Sequence, residues 1–565
     1  MSDTKAGGYI SKITFNNGKE LEIKQDDIVV FVGPNNAGKS QSLKDIYHLS
    51  LSKNKQSGIV ITDIVITKYP QPILPLLESI SKVSRIGLST TYQFMGRTLN
   101  IGDDYEQIFA KEQVFGNVRN LFIANLDTST RLTTCFPPIN ITRNDAKQHP
   151  IHYAAYNGTY RKCLSDNFKR AFHIEVTPNT QFGASVPLCI GEPVNFGDKE
   201  FVDEQTRQEA YATILDTYKQ VQDQGDGINS FTGILLYLML DYFCTYLIDE
   251  PESFLHPPQA KIMGQIIGQT LTNNQQAFIS THSEDIIKGL LEICPNRIKI
   301  IRITREDDIN TFSVLNNERI NEVWNDPLLK YSNVMSSLFY KSVALCESDS
   351  DCKMYAIIED HVKQLDGRFS ETLFIHCGGK HRMAKIVTAL RVLDIDVRLI
   401  PDLDVMNDEN VFRAIVEAFE IDWNTIKVDY NTVVSNLHSP KDKIDRNAAK
   451  TAILQIIDGS KNNELSTKEI DHIREQTRTI SKWDNIKKMG IPAIPPGAPT
   501  TSFKKIEQIL RRKGIYILPV GELEGFIKDV GGHGPEWVNK VLEKYEDLNH
   551  EVYAQITQFV RDMNL

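Results

Sequence analysis

The stretch Ile28-Val-Val-Phe-Val-Gly-Pro-Asn-Asn-Ala-Gly-Lys-Ser40 determines the expected fold of the first half of the chain. Five apolar residues predict a buried strand, and a loop of the form Gly-x-x-x-x-Gly-Lys-Ser follows it before a helical pattern begins. Between a strand and a helix, such a loop lets backbone N–H groups approach phosphate oxygens. The sequence therefore predicts a nucleotide site whose members are Gly33, Asn35, Asn36, Gly38, Lys39 and Ser40.

Side chains after two later strands complete the predicted nucleotide site. Lys39 supplies a positive charge to the phosphates, and Ser40 supplies a hydroxyl ligand to Mg²⁺. An apolar run ends at Asp249-Glu250, where we expect Asp249 to hold Mg²⁺ through water and Glu250 to polarise the attacking water. His282 follows the next apolar run and is expected near the γ-phosphate. The predicted cofactors of this half are ATP and Mg²⁺.

Apolar runs on both sides of the loop predict the rest of the first domain. Residues 9–15 and 21–24 look like two short strands joined by an Asn-Asn-Gly turn. From residue 233 to 293 the pattern is helix, strand, helix, strand, helix, which indicates a parallel sheet. The runs 298–303 and 311–314 predict a hairpin that closes this domain.

A second group of carboxylates follows strands that are predicted in the other half of the chain. Glu347 and Asp351 come after one apolar run, and Asp402 and Asp404 come after another, with a late strand expected at 514–519. Because the carboxyl ends of parallel strands gather at one edge of a sheet, we expect the four side chains to converge. Hard divalent cations need oxygen ligands, so the pattern predicts a Mg²⁺ or Mn²⁺ site for phosphodiester chemistry.

Composition and charge disfavour several other classes of protein. The chain has 565 residues and a net charge of −10, which argues against a wholly basic nucleic-acid coat protein. Eight scattered cysteines without a Cys-x-x-Cys pair disfavour a zinc ribbon and a disulfide framework. The N-terminus lacks an apolar signal core, and Asp241 interrupts the longest apolar stretch, 232–248. We therefore predict a cytoplasmic protein without a membrane partner.

Residues 8–315 resemble the ABC-type ATPases of the RecF, SMC and OLD group. The resemblance rests on the Asn-Asn-x-Gly-Lys-Ser loop, on Asp249-Glu-Pro-Glu-x-x-Leu-His-Pro257 and on Ser280-Thr-His-Ser283. It implies two paired heads, each closing the other's ATP site with a signature loop. The matching segment is 225–230, which departs from the usual Ser-Gly-Gly form, and Gln93 is the candidate Q-loop glutamine.

The second half resembles the TOPRIM domain, in which a Glu follows the first strand and Asp-x-Asp follows a later one. Glu347 and the pair Asp402 and Asp404 match these positions, and Gly378-Gly379-Lys380 after the strand between them also fits. Ser348 stands where family members carry a glycine, which leaves the carboxylates in place.

The segment Gly521-Glu-Leu-Glu524 resembles the additional metal-binding segment of OLD-family nucleases. We favour Glu524 over Glu522 as the ligand. The resemblance also implies a helix-borne lysine that stabilises the pentavalent phosphate. Lys540 is the preferred candidate and Lys528 the competitor, and either also fits a solvated surface lysine.

The order of the two halves resembles the OLD (overcoming lysogenisation defect) nucleases over nearly the whole chain. The resemblance implies an ATP-regulated, Mg²⁺- or Mn²⁺-dependent DNA endonuclease, with Glu250, Glu347, Asp402 and Lys540 as catalytic residues. The metal ligands would be Ser40, Asp249, Glu347, Asp351, Asp402, Asp404 and Glu524. Family members assemble as dimers or tetramers and are often antiphage effectors. They act alone, beside a helicase (Gabija type), or beside a reverse transcriptase and its small DNA (retron type).

The predicted fold class is α/β, an ABC-type ATPase head with inserted helical segments followed by a parallel-sheet TOPRIM domain. The expected bounds are 1–315 for the ATPase domain, 316–341 for a linker, 342–530 for the TOPRIM domain with a helical insert at about 440–490, and 531–565 for a C-terminal helical segment. Two other functions stay open, namely a non-catalytic DNA clamp of the SMC or RecF kind and a TOPRIM ribonuclease.

Overall fold

The chain divides into two compact units, residues 1–330 and 331–565, in a computed structural model of the protein. The structure describes residues 6–52, 58–86, 89–102, 104–192, 194–197, 199–306, 309–315, 324–326, 329, 333–437, 445–459, 464–477 and 482–563. The division falls inside the predicted linker, 316–341, part of which lies outside the described residues.

The first unit alternates strands and helices along most of its length. Its strands are β1 (Gly8–Phe15), β2 (Glu20–Glu22), β3 (Ile28–Val32), β4 (Ile61–Lys68), β5 (Lys82–Ile86), β6 (Ser89–Phe94), β7 (Arg97–Ile101), β8 (Ile123–Leu126), β9 (Val176–Pro178), β10 (Leu188–Ile190), β11 (Lys219–Gln220), β12 (Thr245–Asp249), β13 (Gln276–Ser280), β14 (Ile298–Glu306) and β15 (Ile309–Leu315). Its helices are α1 (Lys39–Leu49), α2 (Leu74–Ile80), α3 (Tyr105–Lys111), α4 (Arg119–Phe122), α5 (Thr128–Thr133), α6 (Pro150–Tyr156), α7 (Gly158–Phe172), α8 (Glu204–Asp216), α9 (Asp226–Leu238), α10 (Pro257–Thr270) and α11 (Glu284–Ile293).

A six-stranded central sheet has the order β15-β14-β3-β13-β12-β8. All of its pairs are parallel except the antiparallel pair β14 and β15, which confirms both the predicted parallel sheet and the predicted closing hairpin. Every residue of β3 is buried, as expected of an apolar strand in the middle of a parallel sheet with both faces covered. The sheet brings the carboxyl ends of β3, β12 and β13 to one edge.

Smaller antiparallel sheets surround this core. β1 pairs with β2, which confirms the predicted N-terminal hairpin, and it also pairs with β4. Two further sheets, β5-β6-β7 and β11-β10-β9, draw most of their strands from residues 60–200.

The second unit is built on a parallel sheet with the order β17-β16-β18. Its strands are β16 (Ser342–Cys346), β17 (Thr372–His376) and β18 (Asp396–Ile400). Its helices are α12 (Asp349–Leu365), α13 (Met383–Val392), α14 (Glu409–Ala418), α15 (Lys427–Leu437), α16 (Arg446–Asp458), α17 (Thr467–Thr477), α18 (Lys482–Met489), α19 (Ala498–Arg512), α20 (Pro535–Lys544) and α21 (Ala554–Met563). The three strands and their parallel pairing confirm the prediction for this part of the sequence.

The late strand predicted at 514–519 is wrong in detail. Tyr516 N donates to Leu399 O over 2.8 Å, and Leu399 N donates to Gly514 O over 2.8 Å, but these bonds form an isolated bridge beside β18. Leu518 N donates to Pro401 O over 3.1 Å, but Pro401 has no N–H to donate in return, so the next pair of a regular ladder stays incomplete. The segment is therefore an extended edge rather than a strand.

The expected helical insert corresponds to α16, α17 and α18, and the C-terminal helices α20 and α21 share one apolar core with α12. Trp537 of α20 is fully buried in that core. Within the described parts of the chain, no helix has both the length and the apolar character needed to cross a bilayer.

Candidate functional site

The loop after β3 has a backbone that only glycine accommodates at two positions. Gly33 has a φ of 141°, and a Cβ there would lie 2.0 Å from Ile303 O of β14. Gly38 has a φ of 101° and precedes the first turn of α1. Behind the loop, Asn310 Nδ2 donates to Ala37 O over 2.9 Å, so β15 holds the loop from the side. The described geometry therefore fits a phosphate-binding loop at a helix N-terminus.

Lys39 is the buried cation of this loop. Its Nζ donates to Gly33 O over 2.9 Å and to Pro34 O over 2.6 Å. Burial lowers the pKa of Lys39 to about 8, and the nearby carboxylates of Glu250 and Glu252 oppose that shift. The buried ammonium thus lies on its own loop within electrostatic reach of the acids after β12, a position suited to binding phosphate oxygens.

The predicted residues Asp249, Glu250 and His282 come together at the ends of β12 and β13. Asp249 pairs in register with Ser280, whose hydroxyl donates to Asp249 Oδ1. Glu250 adopts a φ of 47°, rare for a residue other than glycine, and its N–H donates to Ser280 O over 2.9 Å. His282 Nε2 lies 3.5 Å from Glu250 Oε1. Burial and the charge of Lys39 lower the pKa of His282, which favours a neutral ring.

Arg131 belongs to the same site, although sequence reasoning missed it. Its side chain is fully buried, and Nη1 donates to the carbonyl of Asp249. Nη2 donates to Thr128 Oγ1 over 3.2 Å, and among the described residues Nε has no hydrogen-bond partner. Burial lowers the pKa of Arg131, and Asp249 and Glu252 oppose the shift. A single arginine belongs to no sequence motif that would mark it as part of a site. Its position beside Asp249 follows from the pairing of β8 with β12, because Arg131 lies on the helix after β8.

The remaining sequence candidates of the first unit lie in two places. Gly225 caps α9, and a Cβ on Gly227 would lie 2.5 Å from Phe254 O, so the segment 225–230 packs closely on the turn after β12. Gln93 lies on β6, in a sheet separate from the one that carries β12, and its carbonyl accepts from Gln148 Nε2 over 3.2 Å.

In the second unit, Glu347, Asp402 and Asp404 converge. Carboxylate oxygens of these three residues all lie within 4.8 Å of one another. Glu347 follows β16, and the two aspartates follow β18, which pairs with β16 in parallel. The shared edge of the sheet therefore produces the cluster that the sequence predicted.

The cluster is electrostatically strained. Burial raises the pKa of Asp402 well above its ordinary value, and repulsion from Glu347 and Asp351 raises it further. Burial and Asp404 likewise raise the pKa of Glu347. Among the described residues, Glu347 Oε2 and Asp404 Oδ1 are buried oxygens without a hydrogen-bond partner. Unpaired buried carboxylates are costly, so this donor set fits a divalent cation that neutralises them.

Asp351 lies next to the cluster and is held by the start of α12. Ser348 N donates to Asp351 Oδ2 over 2.8 Å, and Asp351 N donates to Ser348 Oγ over 3.3 Å. This reciprocal cap fixes Ser348 and Asp351 at the start of α12. Burial raises the pKa of Asp351.

A second group of potential ligands consists of Glu522, Glu524 and His533, with ligand atoms within 4.8 Å of one another. His533 Nδ1 hydrogen-bonds to Glu524 Oε1, which also accepts from Gly534 N over 2.8 Å. The structure thus places both glutamates of the 521–524 segment together. Sequence reasoning missed His533 as a ligand because no spacing relates it to the glutamates.

Two lysines of the second unit, Lys380 and Lys487, lie close to the acids. Lys540 Nζ pairs with Glu536 one turn away on α20, at 2.6 Å, and Lys528 is exposed. Lys380 Nζ instead lies 3.4 Å from Asp404 Oδ2. Lys487, in the helical insert, also reaches the acids, with its Nζ 3.6 Å from a carboxylate oxygen of Glu522.

Comparison with curated proteins finds a distant relative of this chain. The chain is a distant homologue of the Old nuclease of Escherichia phage P2. The two are 20% identical over 332 residues, which cover 55% of this chain and 48% of the nuclease. The chain therefore spans about half the length of the curated relative it matches. No family model matches the chain.

Solved SMC head domains are also similar to the chain. One, bound to the C-winged helix domain of ScpA, has a TM-score of 0.34 and 13% identity, covering 56% of this chain and 100% of that one. The SMC head domain from Thermotoga maritima has a TM-score of 0.28 and 11% identity, covering 55% of this chain and 96% of that one.

Proposed function

We propose that the chain is an ATP-regulated, divalent-metal-dependent DNA endonuclease. The observation that carries the proposal is the convergence of Glu347, Asp402 and Asp404 with two buried, unpaired carboxylate oxygens, on a chain that also has a phosphate-binding loop. The distant homology to a nuclease supports the same reading.

The first unit acts as an ABC-type ATPase head in this proposal. Main-chain N–H groups of the loop and Lys39 would bind the phosphates, while Ser40 and Asp249 would hold the Mg²⁺ of the nucleotide. Glu250 would accept a proton from the attacking water, and His282, 3.5 Å from Glu250, would contact the γ-phosphate. The signature segment 225–230 would serve the ATP site of a second copy, which makes the working form a dimer or tetramer.

The second unit acts as a TOPRIM nuclease. Glu347, Asp351, Asp402 and Asp404 would hold one or two Mg²⁺ or Mn²⁺ ions, with Glu524 as a further ligand. When bound, such ions supply Lewis acidity and a water activated for attack on a phosphodiester. The protein contributes a fixed and partly buried set of oxygens, so the acids need little rearrangement during the reaction.

The biological setting proposed for this activity is antiphage defence. The chain would act alone or with a helicase or a reverse transcriptase and its small DNA. Supercoiled plasmid alone tests the intrinsic activity, whereas a requirement for such a partner would appear as cutting only after the partner is added.

The test is nicking of supercoiled plasmid with Mg²⁺ or Mn²⁺, with and without ATP. We expect the wild type to nick and Asp402→Asn to lose nicking while still binding ATP, because the change removes a ligand charge in the second unit only. Asp458→Asn, at an exposed acid that ends α16, is the matched control and should nick like the wild type.

Three results would contradict the proposal. Undiminished nicking by Asp402→Asn would remove the acid cluster from the chemistry. Tight Mn²⁺ binding without cleavage of DNA would favour a non-catalytic clamp, and cleavage of RNA alone under the same conditions would favour a ribonuclease.

A further inference from the structure

We propose that Lys487 is a catalytic residue of the nuclease site that binds the scissile phosphate, delivered to the acids by the inserted helix α18. This inference rests on the proposed nuclease function and adds a residue that neither the TOPRIM pattern nor the sequence candidates include. Its substrate group is the phosphodiester of a nucleic acid.

The position of Lys487 is central to the acids. Its Nζ lies 3.6 Å from Glu522 Oε2, which belongs to the second group of ligands. Its charge also interacts with Asp402, Asp404 and Glu347, the three members of the first group. The ammonium group is therefore paired with the second group of ligands and lies within electrostatic reach of the first.

Close backbone packing fixes the helix that carries this lysine. Gly521 has a φ of 97°, and a Cβ there would lie 2.2 Å from the carbonyl oxygen of Lys487. Gly490, just after α18, has a φ of 71°, and a Cβ there would lie 2.1 Å from Pro519 O. Glycine is thus required on both sides of the contact between α18 and the segment that leads to Glu522.

The same contact extends to the loop with the paired aspartates. Leu403 N donates to Gly521 O over 3.0 Å, and Ile491 N donates to Pro519 O over 2.9 Å. Trp483 and Ile486 of α18 are buried. The helix, the 519–521 segment and the Asp402 loop therefore form one locally connected structure that holds the ammonium in place.

Lys487 is also the lysine best suited to meet a substrate. Its side chain is 39% exposed, whereas the Lys380 side chain is 21% exposed and donates to both the carbonyl and the carboxylate of Asp404. Lys540 is more exposed, at 48%, but its ion-pair partner is Glu536 of its own helix and not one of the clustered acids. A partly exposed ammonium at the edge of an acid cluster can exchange its carboxylate partner for a phosphate oxygen.

Charge balance gives a reason for such a lysine. The charges of two divalent cations do not offset all the carboxylates at this site, which are Glu347, Asp351, Asp402, Asp404, Glu522 and Glu524. A phosphodiester is itself an anion, and the transition state for its hydrolysis gathers further negative charge on oxygen. A fixed cation beside the metals therefore lowers the barrier to attack.

A simpler role would be that of a counter-ion that only neutralises the acids. The two roles differ in measurable ways. Removal of a counter-ion strengthens metal binding and leaves turnover at saturating metal unchanged. Removal of a phosphate ligand lowers turnover at saturating metal and weakens the ionic part of DNA binding.

The experiment compares Lys487→Met and Lys487→Arg with Lys488→Met, a matched control at the exposed neighbouring lysine of the same helix. It measures kcat and KM for plasmid nicking at saturating Mn²⁺, and Mn²⁺ affinity by electron paramagnetic resonance. Duplex DNA binding is followed against salt with Ca²⁺ in place of Mn²⁺, under conditions verified to be free of cutting. Thermal unfolding establishes that each variant is folded.

We expect Lys487→Met to lower kcat by about 100- to 1,000-fold. For DNA binding by this variant, the slope of log affinity against log salt concentration should become shallower by about one. Lys487→Arg should recover at least about a tenth of the wild-type rate, because the charge is kept, and Lys488→Met should match the wild type throughout.

If Lys487→Met has the same kcat as the wild type at saturating Mn²⁺ and binds Mn²⁺ more tightly, the proposal is overturned and Lys487 is a counter-ion. Absence of cleavage by the wild type itself would instead contradict the nuclease function. The salt dependence of DNA binding tests the contact between Lys487 and phosphate separately, because this measurement needs no cleavage. A slope equal to that of the wild type in Lys487→Met would contradict the contact.

Discussion

Arg131 connects two parts of the nucleotide site through one buried charge. Its guanidinium donates to the carbonyl of Asp249. A Cβ on Gly233 of α9 would lie 2.2 Å from the carbonyl oxygen of Arg131. Helix α9, which contains most of the segment 225–230, therefore packs directly on the residue that donates to the end of β12. We infer that Arg131 positions Asp249 and does not itself contact the nucleotide.

We predict that Arg131→Met lowers the kcat of ATP hydrolysis by about 10- to 100-fold while the affinity for ATP changes little. The reason is that a charge-assisted hydrogen bond to the Asp249 backbone is lost, and such bonds contribute about 1.5–3 kcal/mol. Steady-state hydrolysis and equilibrium binding of a fluorescent ATP analogue measure the two quantities.

Arg143→Met, at an exposed arginine in the same unit, is the matched control and should leave both quantities unchanged. Equal losses of affinity and turnover in Arg131→Met would show that Arg131 contacts the nucleotide instead of positioning Asp249.

At the scale of elements, the nuclease site depends on loops that meet through their backbones. Gly521 joins the 521–524 segment to α18 on one side and to the Asp402 loop on the other, where its carbonyl accepts from Leu403 N over 3.0 Å. The ends of β16 and β18 supply Glu347, Asp402 and Asp404. The backbone contacts of Gly521 hold the segment with Glu522 and Glu524 against the loop that carries the two aspartates.

We predict that Gly521→Ala lowers the unfolding free energy of the second unit by about 1–3 kcal/mol and weakens Mn²⁺ binding. The new Cβ would lie 2.2 Å from Lys487 O, and the φ of 97° is unfavourable for alanine. Denaturant unfolding and Mn²⁺ titration provide the measurements.

The matched control for this change is Gly531→Ala, because a Cβ on Gly531 would meet no atom within 4 Å. We expect it to behave like the wild type. Unaltered stability and Mn²⁺ affinity in Gly521→Ala would contradict the packing argument.

At the scale of the whole molecule, one chain carries a phosphate-binding loop in residues 1–330 and a carboxylate cluster in residues 331–565. The proposed function requires that the state of the first site controls the second. ATP can order or block access to the nuclease site, and both signs of control are compatible with a two-state equilibrium.

We predict that Lys39→Ala abolishes ATP binding and makes the rate of plasmid nicking independent of added ATP. The change removes the buried ammonium of the loop, while the acids of the second unit keep their structure. Nicking rates measured over a range of ATP concentrations test this, with Lys44→Ala at an exposed lysine of α1 as the matched control. Persistent ATP dependence in Lys39→Ala would place the controlling nucleotide elsewhere.

Local sequence patterns were sufficient for β1 to β3, for β12 to β18 and for most of the candidate residues, but they did not predict the strands between residues 60 and 220. The phosphate-binding loop is contiguous in sequence, so the spacing of its residues alone identifies it. Strands and helices can be told apart because apolar residues recur with a different period in each. The acids after β16 and β18 could be paired from the sequence because parallel strands end at a common edge. At 514–519 the apolar run was misleading, because Pro401 on the neighbouring segment leaves the ladder incomplete.

By itself, the sequence determined the loop at 33–40, the acids at strand ends and the α/β class, because each depends on residues close together in the chain or on a rule of sheet topology. Only the tertiary structure decided that Arg131 supports Asp249, that His533 joins Glu522 and Glu524, and that Lys487 reaches the acids. These contacts join segments far apart in sequence through side-chain reach and glycine-permitted backbone packing, which no local pattern encodes.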